Sequence, residues 1–219
     1  MTVYLLSVGR DRFELYSEPP EKPGEPPRQN AGRFRHWAHA AYVRWHALVE
    51  SARQRTPSGR IAEWRDAAVR RLAETIAEQR TLWALAQLRE AILLFPASVG
   101  EQEARAALDR TLAAARRHHG WWMIVDAPLF VASGLAALIP GPNLLAYYLG
   151  FRLIGHWLSW RGARHAATSV EWTLTPDSNL AELAALVDVP RAARASRVDA
   201  IAARLNLHRL PAFFERVAA

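Results

Sequence analysis

At 219 residues and 51% hydrophobic composition, the chain is long enough to bury a core and too apolar to be disordered throughout. It has no cysteine, which excludes disulfides, thiolate metal sites and thiol catalysis. The formal charge of +7 rests almost wholly on arginine, with Lys22 the single lysine; it suits an anionic partner (a nucleic acid or a membrane leaflet) or plain solvated helix faces.

The opening, MTVYLLSVGRDRFELYS, has neither a basic stretch leading into a long apolar run nor the look of an Arg/Ser-rich presequence, so it directs neither secretion nor import into an organelle. Instead it alternates with period two on either side of Gly9, Arg10 and Asp11, which predicts a β-hairpin over residues 1–17. A lone hairpin is marginal in water, so it needs further strands or a helical layer. AILLF (91–95), ending at Pro96, and SVEWTLT (169–175), ending at Pro176, are the runs able to supply strands.

Residues 18–30 hold five prolines and read as a linker. Helical spacing follows: Phe34, Trp37, Ala41, Trp45 and Leu48 form one stripe, and Ile61, Trp64, Ala68, Leu72 and Ile76 another. His36, His39 and His46 lie on the face opposite the tryptophans beside Arg35, with no carboxylate or cysteine spaced to complete a metal site. Residues 100–119 form an Arg/Ala-rich helix that Gly120 is expected to close. His118 and His119 are adjacent and diverge by about 100° on a helix, so they make no ligand pair. No metal and no cofactor is expected.

The most apolar part of the chain is a pair of arms, Trp121–Ile139 and Leu144–Trp160, joined by a turn at Pro140, Gly141, Pro142 and Asn143. As helices they would reach ~28 Å and ~26 Å, close to the thickness of a bilayer core. Arginines and histidines flank both ends, and Trp121, Trp122, Trp157 and Trp160 mark both, as expected of a hairpin whose ends lie on the cytoplasmic side. Against insertion stand Pro128 and the polar groups Asp126, Arg152 and His156 inside the arms. On a helical wheel Tyr148, Arg152, His156 and Ser159 fall within about 80°. Antiparallel pairing about the turn sets Asp126 level with His156 and one turn from Arg152. These five residues therefore form a candidate polar seam, either coupling to an ion or proton or fixing the register of two helices. A soluble core would use the same device, so both a membrane hairpin and a soluble helical protein remain open.

The last segment, NLAELAALVDVPRAARASRVDAIAARL, has a helix–turn–helix outline with Arg191, Arg194, Arg197 and Arg204, but packing subdomains share that outline, and nucleic acid is not the expected partner. No GxSxG, HExxH, P-loop or GxGxxG occurs, and no enzyme is expected.

The sequence thus predicts a predominantly α (α+β) chain: a helical bundle, a small antiparallel sheet from the N-terminal hairpin, and a long apolar helical hairpin. Its segments would be the hairpin 1–17, the linker 18–30, a helical core 31–175 containing the apolar hairpin 121–160, and a small helical subdomain 176–219. VYLLSVGRDRFELYSEPP, RTLWALAQLREAILLFP and above all IPGPNLLAYYLGFRLIGHWLSWRGARHA resemble the mitochondrial K+–H+ exchange-related family and its bacterial members. Pro140, Gly141, Pro142, Asn143, Arg152, His156 and Gly162 match its most specific stretch. The resemblance implies membrane association and a role in potassium/proton exchange as a component or regulator; it brings no established catalytic or ion-binding residues. The expected partners are a membrane surface or bilayer, K+ or H+, and either further copies of the chain or a membrane protein, since one hairpin cannot enclose a path. The expected location is a bacterial cytoplasmic membrane with both termini in the cytoplasm. The alternative is a soluble cytoplasmic scaffold.

Overall fold

The computed structural model describes residues 1–18, 81–135 and 144–218. The helices expected from Phe34 to Ile76, the His36, His39 and His46 group, the proline-rich segment from residue 19 and the Pro140–Asn143 turn lie outside them. Residues 1–18 and 79–219 make one compact unit.

Within that unit β1 (Thr2–Gly9) and β2 (Arg12–Tyr16) form the expected antiparallel hairpin, with Asp11 at φ 56° in the left-handed region that its turn demands. β1 alternates between two cores. Val3 and Leu5 point to one face of the sheet, Leu6 and Val8 to the other, all at most 1% exposed. Both faces are therefore covered.

The sheet is larger than the hairpin and is not purely antiparallel. β3 (Glu90–Pro96) and β4 (Glu171–Asp177) extend it in the order β2-β1-β3-β4, and β1–β3 and β3–β4 are parallel. Parallel neighbours need a long crossover rather than a tight turn. Between β3 and β4 two long helices, α1 (Glu101–Leu135) and α2 (Leu144–Thr168), supply it. Pro176 does not end β4 but pairs with Phe95 inside it, as an edge strand permits.

Gly120 does not close α1 either. A glycine in a helix interior costs ~1 kcal/mol relative to alanine, and a Cβ here would make only ordinary contact with the Trp160 ring of α2, at 3.4 Å, so the helix runs through Gly120 without requiring a glycine there. α1 also continues through Pro128, giving up the bond that an N–H there would make to the Ile124 carbonyl. Residues 121–135 of the supposed first arm are thus the later part of a 35-residue helix, and α2 runs on to Thr168, eight residues past Trp160.

At 1.5 Å per residue α1 is ~52 Å long, more than twice the ~23 Å of a seven-residue strand. Its contacts with the sheet-facing core end near Ala115, and those of α2 begin near Ala163. Beyond those points, among the described residues, α1 and α2 lean chiefly on each other. Among the described residues no helix is long and apolar enough to cross a membrane, so the bilayer-spanning hairpin is not found. The interruption by Asp126, Pro128, Arg152 and His156 is the physical reason.

The opposite face of the sheet carries α3 (Ser178–Ala184), α4 (Arg191–Leu205) and α5 (Leu210–Val217). Asp177 caps α3 by accepting from the Leu180 N–H at 2.9 Å, and Asn206 ends α4 at φ 54°. Glu18 accepts from the backbone N–H groups of His208 and Arg209 at the start of α5, and Arg12 Nη2 donates to the Val217 carbonyl at its end. α5 is thereby fastened to the hairpin at both termini.

Candidate functional site

The polar cluster between α1 and α2 is built by helical spacing. On α1, His119, Trp122 and Asp126 recur at i, i+3 and i+7 and point to α2; on α2, Tyr148, Arg152 and His156 recur at i+4 and point back. Asp126 is 1% exposed, although it is a carboxylate. Its Oδ1 lies 3.1 Å from Arg152 Nη2, while its Oδ2 lies 3.7 Å from His156 Nε2 and makes no hydrogen bond. A buried acceptor without a donor costs of the order of 1–3 kcal/mol.

Arg152 sits over the Trp122 ring at 5.0 Å and the Tyr148 ring at 5.8 Å, so π faces hold the guanidinium where it is not bonded to Asp126. Trp122 also stacks on the His156 ring, at 6.2 Å and 12° between planes. The second nitrogen of His156, Nδ1, lies 2.9 Å from Nδ1 of His119. His118 stands edge-on to His119, exposed.

These surroundings oppose positive charge on the histidines. Burial pushes His156 below its ordinary value; Asp126 raises it, while Arg152 and His118 lower it further. Burial, then His156, then His118 push His119 from 6.5 down to about 4.

Of the five seam residues, the structure brings together Asp126, Tyr148, Arg152 and His156. Ser159 is elsewhere in its bonding: it donates to the Gly155 carbonyl and accepts from Trp83 Nε1, both at 2.9 Å. It is wholly buried and anchors α2 to the helical turn at 81–85. His119 and Trp122, expected only as half of a rejected ligand pair and as an end-marking tryptophan, join the cluster; the i, i+3, i+7 spacing with Asp126 is the signal that puts them on its face. The 100° divergence that disqualifies His118 and His119 as a ligand pair is what turns one to solvent and the other to α2. Among the described residues no group of histidines and carboxylates is arranged to hold a metal ion.

Around this buried cluster the outer faces are apolar. Of the eleven large hydrophobic side chains exposed among the described residues, nine lie on the distal part of α1 and α2, including Trp121 (63%), Ile124 (68%), Val131 (69%) and Ile154 (59%). Arg161 and Arg164 stack on Trp157 and Trp160 at their base, and Arg116 and Arg117 are exposed on α1 nearby.

The family model described as mitochondrial K+-H+ exchange-related matches residues 3–170. The chain belongs to that family. The match takes in β1, β2, β3, α1 and α2, hence the whole polar cluster, and stops just before β4. No curated protein and no solved structure matches the chain.

The arginines of the helix–turn–helix-like segment are largely engaged internally. Arg194 is buried against Glu215, Arg191 also meets Glu215, and Arg204 bonds Asn179 and Glu182.

Proposed function

We propose that this protein is a membrane-associated component or regulator of potassium/proton exchange, at the cytoplasmic membrane of a bacterium, whose distal α1–α2 arm is the membrane-contacting element. One observation supports this beyond the family: the arm concentrates nine exposed large hydrophobics beside a collar of Arg116, Arg117, Arg161 and Arg164. Exposed apolar surface on this scale marks an interaction site. Tryptophans with arginines at their base suit the interface of an anionic bilayer, where each basic group near the surface is worth ~1 kcal/mol. The buried Asp126–Arg152–His156 cluster inside the same arm supports a proton-linked role, since an imidazole facing a carboxylate can take up a proton as pH falls. One helix pair encloses no ion path, so the reading includes further copies of the chain or a membrane-protein partner.

Sedimentation with phosphatidylcholine vesicles, with and without an anionic lipid, tests the contact. Binding is expected to the anionic vesicles, weakening with salt and with Trp121→Ser, Ile124→Ser and Val131→Ser combined. A protein that ignores such vesicles at low salt and runs as a discrete oligomer is instead a soluble scaffold, the reading favoured by the lack of a helix long and apolar enough to cross among the described residues. For the coupling role the measurement is cation flux in reconstituted vesicles. pH-dependent flux unchanged by His156→Gln removes that role.

A further inference from the structure

The contact between His119 and His156 fixes how many protons it can hold. Two imidazole nitrogens at 2.9 Å are hydrogen-bonded only if one carries hydrogen and the other offers its lone pair. Two bare nitrogens would oppose their lone pairs, and two N–H groups would force both hydrogens into one gap. His156 has its other nitrogen, Nε2, turned towards Asp126 Oδ2, an acceptor on a side chain 1% exposed and lacking a hydrogen-bond donor. A neutral His156 that carries hydrogen on Nε2 has a bare Nδ1. The hydrogen in the gap then belongs to His119 Nδ1, which leaves His119 Nε2 bare. This single neutral arrangement satisfies the gap and aims a donor at Asp126.

We infer that His119 and His156 form one proton-binding site, with Asp126 as its counter-charge, which takes up a single proton while α1 and α2 remain paired. Uptake forms a bond at His119 Nε2; the gap hydrogen passes from His119 Nδ1 to His156 Nδ1; the positive charge ends on His156, between Asp126 and the Trp122 ring. Protons and charge balance, and no other reactant is involved. A second proton would need hydrogen on both Nδ1 atoms and is incompatible with their 2.9 Å contact, so double loading separates the helices at this point.

The groups facing the pair are His118 and Asp126 from α1 and Arg152 from α2. Asp126 favours the proton; Arg152, His118 and burial oppose it. The site is therefore empty at neutral pH and fills as pH falls, with exposed His118 beside its outer end. The inference deepens the proposed function by naming the ligand of the polar cluster, and rests on that reading only for the use to which the proton is put.

The test is nitrogen-15 NMR of the histidine rings in the full chain, titrated from pH 8 to pH 3.5. Expected at pH 8 are His119 as the Nδ1–H tautomer, His156 as Nε2–H, and a nitrogen–nitrogen coupling across the gap. On acidification both rings should shift in one shared step of one proton. Asp126→Asn should weaken proton affinity about tenfold, and His118→Ala, at an exposed position, should strengthen it. Two separate one-proton steps, or both rings as Nε2–H tautomers without coupling, overturn the site; an unchanged midpoint in Asp126→Asn overturns the counter-charge. The wild-type spectrum alone decides whether the two rings share one proton, so the test stands even where a variant does not fold. Vesicle binding is read separately, so a chain that binds vesicles yet titrates as two independent histidines refutes this site alone.

Discussion

Two arginine–carboxylate pairs in this molecule are built to opposite standards. Arg194, 5% exposed, meets both oxygens of Glu215 at 2.9 and 3.1 Å, donates to the carbonyls of Leu186, Val187 and Ala218, and lies over the Phe214 ring. Its donors are all but used up, and α3, α4 and α5 are tied together by one side chain. Asp126 is as deeply buried, yet has one oxygen on Arg152 and the other without a hydrogen bond. The first pair is saturated and has a single low-energy arrangement. The second has spare acceptor capacity facing a titratable ring, which a purely structural pair has no reason to keep.

Breaking the saturated pair should have the largest effect. Arg194→Met leaves Glu215 buried beside unpaired carbonyls and is expected to cost about 3–5 kcal/mol, read as a lower denaturant midpoint. Glycines on the two halves of α2 sharpen the same contrast. At Gly162 a Cβ would overlap the backbone carbonyl of Leu82, so Gly162→Ala should cost about 1–3 kcal/mol. At Gly150 the nearest atom is a Phe130 ring carbon at 3.0 Å, a side chain able to give way, and Gly150→Ala should leave the thermal midpoint nearly unchanged because helix propensity offsets the crowding.

The dependence on pH comes next in size. His119 and His156 both have folded values below those of the unfolded chain, so the unfolded state binds protons first. Their contribution is intact above about 6.5 and is lost as pH falls, because the folded pair holds one proton where the unfolded chain holds two. The slope is at most ~1.4 kcal/mol per pH unit for each proton. A stability profile flat over that range in the wild type contradicts the assignment, and His119→Gln should flatten it. Asp126→Asn should be a mild change at neutral pH, about 1 kcal/mol or less. Arg152, with 31% of its side chain exposed, can turn to solvent, and the orphaned oxygen had no hydrogen bond to lose.

Much of the site is legible in the sequence, and for a specific reason. Counting residues along two helices places Asp126 opposite His156 and near Arg152, because rise and rotation per residue are nearly constant. Ser159 departs from the seam because a wheel position says which way a side chain leaves its helix, not which neighbour meets it; near the end of the sheet that neighbour is Trp83. Spacing puts His119 on the Asp126 face of α1, but its contact with His156 is not written in the spacing of one helix. The fold divides likewise. The period of two and the Asp11 turn predict the β1–β2 hairpin, whereas the parallel pairing of β3 and β4 joins segments separated by α1 and α2. Gly120 and Pro128 look like interruptions of a helix and yet lie inside α1, because one weak position does not outweigh the helix-forming residues on both sides of it.

By itself the sequence determined what lies within a few turns of chain: alternating strands, a helix with His119, Trp122 and Asp126 on one side, another with Tyr148, Arg152 and His156 on one side, and membership of its family. These follow from fixed backbone geometry. Tertiary structure alone decided that two imidazoles meet at 2.9 Å, that one carboxylate oxygen is left without a donor, and that the apolar faces of α1 and α2 continue past the sheet uncovered. Those depend on tenths of an ångström between elements distant in the chain, where packing rather than propensity sets the distance.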